Sequence, residues 1–332
     1  MYNKQPRIAV VTRETRLQGL LRRWATRGQA KFIHRRARGL QAQQLGYGVD
    51  VIDAEEAEAD ADFDALEQED RSYTQSVREL VRTLDFGMPV QSVDWTLLPN
   101  FDFDLCAAVV VIGQDGLVAN TAKYAHDVPI VGVNPDPARF DGVLLPWVLG
   151  EARQAVSRAL AGRAAIRDVT LAQATLHDGQ TLLAFNDFYI GAASHVSARY
   201  HLQVGGKEEQ QSSSGILVST GAGSTGWMSS VLNMAAGVAR YLGVKQPKRN
   251  RLHLDWSDRR LLWAVREPFV SRTSQANLVM GTIDEGEEML VESMMPSAGV
   301  IFSDGVESDY LEFNGGSLAR LGVARQKARL ES

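Results

Sequence analysis

The chain has 332 residues, 45% of them hydrophobic, with a net charge of −5 and a single cysteine. This length can bury one large core or two ordinary ones, and two domains are expected. The mild negative charge gives no general reason to expect nucleic acid or an anionic membrane as partner. Cys106 alone excludes an intramolecular disulfide, no apolar run reaches membrane-spanning length, and the first residues lack a signal-peptide apolar core, so a soluble protein of a reducing cytoplasm is expected.

The first predicted strand is residues 7–12 (RIAVVT), short, apolar and β-branched. Residues 16–38 are basic and read as helical, with Leu17, Leu20, Leu21 and Trp24 at helical spacing. A solvated helix face is the expectation there, ahead of a phosphate-holding role. Residues 50–70 are acidic throughout and alanine-rich, with no glycine turn to converge metal ligands, and read as a solvated helix or partly disordered insert able to pair with the basic segment. Residues 78–84 read as a helix and residues 90–94 as a short edge strand.

The most informative stretch follows. A β-branched run, residues 107–112, stops at Gly113-Gln114-Asp115-Gly116, and residues 117–125 read as a helix. Glycines at the carboxyl end of a buried strand let backbone N–H groups approach an anion, at the place where open α/β sheets bind ligands. A carboxylate there repels phosphate unless it handles a proton or a metal. The pattern therefore points to phosphoryl transfer to a hydroxyl with Asp115 as base. Residues 129–134 form another buried strand, ending at Asn134 in the sharp turn Asn134-Pro135-Asp136-Pro137. Strand, helix, strand, glycine loop, helix, strand implies a parallel sheet with crossovers.

From about Trp147 the pattern changes. A helix at 151–160 precedes strand-like runs at 166–175, 181–190, 197–204, 215–219, 261–266, 277–283, 288–293 and 299–303. Repeated short strands with Gly, Asp and Ser between them imply an antiparallel second domain, a sandwich or stacked sheets. The expected fold class is α/β plus all-β: an N-terminal parallel-sheet domain (1–147, with about 313–332 returning to it) and a β-sandwich-like domain (148–312), the active site lying between them.

Three further segments carry polar chemistry. Asn186 and Asp187 interrupt the apolar run Phe185 to Gly191; they are either a strand-end turn or a pair that grips sugar hydroxyls. Residues 219–227, Ser-Thr-Gly-Ala-Gly-Ser-Thr-Gly-Trp, end a strand and precede a helix at 228–241. Donors at that helix start suit phosphate or ribose, and Trp227 either stacks on a flat ring or anchors the helix in the core. Residues 302–306, Phe-Ser-Asp-Gly-Val, are a hairpin turn or a site. No Walker, zincin or nucleophile-elbow pattern is present, and one cysteine makes a structural zinc unexpected.

In order, Gly-Gln-Asp-Gly, Val-Gly-Val-Asn, Phe-Asn-Asp and Ser-Thr-Gly-Ala-Gly-Ser-Thr-Gly-Trp resemble the signatures of the NAD kinases, within the diacylglycerol-kinase-like superfamily. The mitochondrial type is the closer likeness, through GVNPDPARFDGVLLP, SSGILVSTGAGSTGW, VREPFVSR and LEFNGGSLARL. The resemblance runs from about Val109 to the C-terminus. It implies ATP-dependent phosphorylation of the adenosine-ribose 2′-hydroxyl of NAD, giving NADP, with Mg²⁺ carried on the nucleotide phosphates and no metal site of the protein's own. It places the general base at Asp115. Substrate and cofactor contacts fall on Gly113, Gln114, Gly116, Asn134, Asn186, Asp187, Ser224, Thr225, Gly226 and Trp227. A homodimer and a bacterial cytoplasm are its further implications. The chain departs from the family pattern at Gln114, Leu117 and Asp187, where glycine, threonine and glutamate are usual. The competing readings are a kinase of the same superfamily acting on a sugar, nucleoside or lipid hydroxyl, and a non-catalytic NAD(P)-binding sensor.

Overall fold

A computed structural model of the chain describes residues 5–24, 26–44, 49–244 and 254–332. Strand β1 (Arg7–Thr12) lies between β2 (Val90–Asp94) and β3 (Cys106–Ile112), all parallel, and β3 pairs in parallel with β4 (Pro129–Asn134). Both faces of this sheet are covered, so β3 is buried almost throughout. Helix α4 (Asp115–Ala122) connects β3 to β4. It begins two residues earlier than the sequence pattern suggested, so Asp115 and Gly116 are its first turn and only Gly113 and Gln114 remain as loop.

Between β1 and β2 the chain makes three helices: α1 (Arg16–Arg23), α2 (Arg27–Gln44) and α3 (Val49–Thr83). The basic stretch is thus two helices rather than one, with residue 25 outside the described residues. Helix α1 starts at a capping box in which Thr15 and Gln18 satisfy each other's backbone N–H. The acidic stretch and the helix expected after it are one 35-residue helix. Its carboxylates face the cations of α2 (Lys31 with Asp64, Arg35 with Glu56, Arg38 with Asp62), which relieves like-charge repulsion along the helix. These pairs are exposed and each contributes little to stability.

After the short strand β5 (Trp147–Val148) and helix α5 (Ala152–Leu160), the rest of the chain is mainly strand. β6 (Ile166–Leu176), β7 (Thr181–Ala184), β9 (Ala198–Val204), β10 (Lys207–Ser213), β14 (Met289–Ser293) and β17 (Leu318–Glu331) extend the parallel sheet with antiparallel pairings. A second, antiparallel sheet has the order β13 (Met280–Asp284), β12 (Arg260–Val265), β11 (Ile216–Ser219), β8 (Asp187–Ala192), β15 (Gly299–Ser303), β16 (Tyr310–Glu312). Phe188, Ile190, Ile216, Val218 and Ile301 of the second sheet pack against Leu176, Leu202, Val291 and Leu321 of the first, forming a sandwich core. Helix α6 (Trp227–Tyr241) covers part of the other face of the second sheet through Met228, Val231 and Leu232.

Strand β17 joins the two regions. Its first residues pair with β14 and, near its end, Arg329 and Leu330 pair in parallel with β4, while β6 runs beside it along most of its length. The run 181–190, expected as one strand, is two: β7 belongs to the large sheet and β8 to the small one, and the chain changes sheets at Phe185 and Asn186.

Candidate functional site

Asp115 stands at the start of α4, half-buried, at the carboxyl end of β3. Its Oδ1 accepts the Leu144 N–H at 2.8 Å and its Oδ2 the Val143 N–H at 3.2 Å. The carboxylate therefore holds the loop that follows β4, and each oxygen keeps a lone pair for a further donor. Asn134, buried at the end of β4, works on the same loop: its amide donates to the Phe140 carbonyl and accepts the Asp136 N–H. The loop crosses directly over β4, where a Cβ at Gly132 would overlap the Leu144 carbonyl oxygen, so only glycine fits there. Asn134 is thus a loop-closing side chain in this structure. Gly113 is buried beside Leu117 and the aliphatic part of Arg13, whereas Gln114 and Gly116 are exposed.

Arg13, at the end of β1, is a cation beside the glycine loop. Its backbone N–H donates to the Tyr73 hydroxyl, which donates to the Ile112 carbonyl, and its guanidinium pairs with Glu69 at 2.9 Å. Arg13 and Arg16 hold the Glu69 carboxyl below its usual range, and their hydrogen bonds outweigh the burial that opposes them.

The second half of the site is the change of sheets at Asn186. Thr220 Oγ donates to the Phe185 carbonyl and the Thr220 N–H to the Asn186 carbonyl, at 2.5 and 2.9 Å. A Cβ at Gly223 would overlap that Asn186 carbonyl, which ties the glycine-rich turn to the Asn-Asp pair. Ser224 Oγ donates to the Gly221 carbonyl, so Ser224 is buried and engaged in its own turn. Thr225 and Gly226 are exposed at the start of α6. The side-chain amide of Asn186 and the carboxyl of Asp187 have no hydrogen-bond partner among the described residues, although Asp187 is buried.

Burial, with the Asp304 carboxylate nearby, pushes the Asp187 carboxyl up to about 7. Burial also raises Asp304, but the Lys123 ammonium and the N–H groups of Phe185 and Asn186 oppose it. Both carboxyls are therefore raised, and the opposing donors and the ammonium act on Asp304 only. Lys123, buried at the end of α4, donates to Ser303 Oγ at 2.8 Å and pairs with Asp309, which also accepts from Tyr124. Asp304 belongs to a turn that the sequence left open between hairpin and site. Lys123 carried no signal beyond being the last cation of an apolar helix.

Trp227 begins α6, half-buried. Its ring stacks on Tyr189 (centroids 6.0 Å apart, 11° between planes), and the Arg266 guanidinium lies 5.2 Å from its centroid. Together with Phe302, Glu307 and Tyr310 these three residues line a cleft of about 580 Å³ on the face of the small sheet turned away from the sandwich core. An aromatic wall with a cation over it fits a flat, electron-rich ring. Neither Tyr189 nor Arg266 was singled out from sequence.

The two halves meet through packing. Leu117 after the glycine loop, Leu144 and Leu145 of the loop after β4, Phe185 before the Asn-Asp pair and Ala222 of the glycine-rich turn share one apolar cluster. Among the described residues no three His, Cys, Asp or Glu side chains converge as a metal site.

The architecture, an α/β domain continued into a β-sandwich, is that of solved NAD and NADH kinases. Yeast NADH kinase, solved with NADH, aligns over 100% of this chain and 85% of its own, at 12% identity and a TM-score of 0.54. An NAD kinase from Archaeoglobus fulgidus, solved with ATP, aligns over 78% of this chain and 89% of its own, at 16% identity and a TM-score of 0.52. No protein-family profile and no curated protein matches the chain by sequence.

Proposed function

We propose that the chain is an ATP-dependent NAD kinase that phosphorylates the adenosine-ribose 2′-hydroxyl of NAD to give NADP. The observation that carries this reading is the apolar cluster shared by all four motif segments. Segments 27 to 40 residues apart in sequence are packed around one centre, in a fold shared with NAD(H) kinases. The solved complexes with NADH and with ATP support the two substrates.

In this reading Asp115 is the general base. It takes the 2′-hydroxyl proton as the oxygen attacks the γ-phosphorus of ATP and the bond to the β,γ-bridging oxygen breaks, ADP leaving with that electron pair. Asn186 and Asp187 hold the ribose, Asn186 through an amide with both functions free and Asp187 through its buried carboxyl. Thr225 and the start of α6 at Trp227 face the dinucleotide, the Gly226 N–H being engaged by the Gly223 carbonyl, and the Trp227–Tyr189 stack with Arg266 takes a flat ring. Gly113, Gln114 and Gly116 border the phosphate approach, while Asn134 and Ser224 act by shaping the loops. Mg²⁺ enters as part of MgATP and neutralises charge on the phosphates. Positioning and charge neutralisation supply most of the rate in such a transfer, so the shared cluster is functional as well as structural.

A second reading, a non-catalytic NAD(P) sensor, is favoured by one observation: both carboxylate oxygens of Asp115 already accept loop N–H groups. Incubating the purified protein with MgATP and NAD and assaying for NADP separates the two. Tight NAD binding without product supports the sensor, and neither binding nor product supports a kinase for another hydroxyl. Homodimerisation and a bacterial cytoplasmic location belong to the same proposal and rest on resemblance alone.

A further inference from the structure

The run 181–190 reads as one largely apolar strand, yet the chain leaves the large sheet after Ala184 and joins the small sheet at Asp187. The N–H groups of Phe185 and Asn186 fall between the two ladders. A single side chain takes both: Asp304 Oδ2 accepts from Phe185 at 3.0 Å and Oδ1 from Asn186 at 2.6 Å. The Asp304 N–H returns a bond of 3.0 Å to the Asp187 carbonyl. The two-residue crossover that presents Asn186 and Asp187 is therefore gripped from a turn 118 residues away.

That turn has its own logic. Asp304 has φ +55° and Gly305 φ +71°, and the Val306 N–H bonds the Ser303 carbonyl at 3.0 Å, as in a type I′ turn. Asparagine or glycine adopts this conformation as readily as aspartate, so the turn does not itself require a carboxylate. The preceding residue, Ser303, is held by the buried Lys123, whose ammonium also favours the ionised form of Asp304. Lys123 ends the helix that Asp115 begins, roughly 12 Å further along the axis at 1.5 Å per residue. One rigid element thus connects the candidate base to the clamp on the candidate ribose-binding pair.

We propose that Asp304 is a positioning residue for the dinucleotide: its carboxylate fixes the Phe185–Asn186 crossover and, anchored through Lys123 and Ser303 to α4, sets Asn186 and Asp187 in register with Asp115. The inference rests on the NAD kinase reading. Asp304 has both oxygens committed to main chain, so it acts through Asn186 and Asp187 rather than on the substrate.

The test compares NAD and ATP affinity, each by calorimetry, for wild type, Asp304→Gly and Asp304→Asn, with thermal unfolding measured alongside. Asp304→Gly keeps the turn and leaves two amides without their acceptor. We expect NAD affinity to fall about tenfold or more, the scale of one to two lost hydrogen bonds to a charged group, with ATP affinity unchanged within about twofold. Asp304→Asn keeps one accepting oxygen and should recover part of the loss. A folded Asp304→Gly protein with wild-type NAD affinity overturns the proposal, as does a parallel loss of NAD affinity, ATP affinity and stability. If the glycine variant does not fold, the asparagine variant decides by the same NAD-against-ATP comparison. A wild-type protein that binds no NAD removes both readings. One that binds NAD without forming NADP removes the kinase reading alone, and the Asp304 comparison still stands because it is read by binding.

Discussion

Replacing Asp115 by asparagine tests the general base and separates it from the loop-holding role that the structure also gives this side chain. Asparagine keeps one carbonyl oxygen, which can accept the Leu144 N–H now at 2.8 Å from Oδ1. Its NH₂ then faces the Val143 N–H, now 3.2 Å from Oδ2, and that donor loses its acceptor. Val143 is exposed, so water can replace the bond and the stability cost should be about 1 kcal/mol, the low end for an unmade hydrogen bond. Loss of a positioned base costs about 10²- to 10⁴-fold in rate, or about 2.7–5.5 kcal/mol of barrier. The loss of turnover should therefore clearly exceed the loss of stability, with NAD affinity within about threefold of wild type. Steady-state kinetics at saturating MgATP, NAD titration by calorimetry and thermal unfolding make the comparison. A folded Asp115→Asn protein with near-wild-type turnover, or one whose rate loss is matched by its losses of stability and affinity, refutes the base assignment.

Two further outcomes follow from the geometry. The Asp187 carboxyl is raised in the folded protein from its ordinary 3.8 to about 7, so its contribution to stability is fully present below about pH 4 and is lost as pH rises towards and through 7. Asp187→Asn should then raise the unfolding midpoint at pH 8 and leave it unchanged near pH 4; equal effects at both pH values would remove this account. Trp227→Leu should lose the NAD-dependent change in tryptophan fluorescence and weaken NAD binding about threefold to tenfold, the scale of one aromatic stacking contact. Unaltered affinity in a folded variant would make the ring a helix anchor only.

Much of the parallel sheet was legible because β1, β3 and β4 are buried on both faces and so read as unbroken β-branched runs. Other strands were not. β10, with the sequence KEEQQSS, buries Glu209, Gln211 and Ser213, and their partners lie elsewhere in the chain: Glu209 accepts the Asn277 N–H, and the Tyr200 hydroxyl bonds Gln211 and Ser213. Hydrogen bonds stand there in place of an apolar pattern. β17 is rich in Leu, Ala and Arg, residues of high helix propensity, and sheet pairing on both sides overrides that preference.

The candidate site was legible as motifs, because glycines and acids at strand ends leave a local signature. Its wiring was not. The loop bonds of Asp115 come from 28 and 29 residues away, and the clamp on Asn186 from 118 residues away, so no local pattern announces either. Asn134 was read as a ligand contact, and the structure shows its amide engaged within its own loop on both sides.

The most direct measurement of the central claim follows the transferred group itself. Purified protein is incubated with γ-³²P-labelled ATP, Mg²⁺ and NAD, and the dinucleotide fraction is isolated and treated with a 2′-specific phosphatase. The account predicts label in the dinucleotide, released as phosphate with regeneration of NAD, and no labelled dinucleotide when Asp115→Asn replaces wild type. Label that stays in ATP or passes only to inorganic phosphate, while the protein binds NAD, would contradict it.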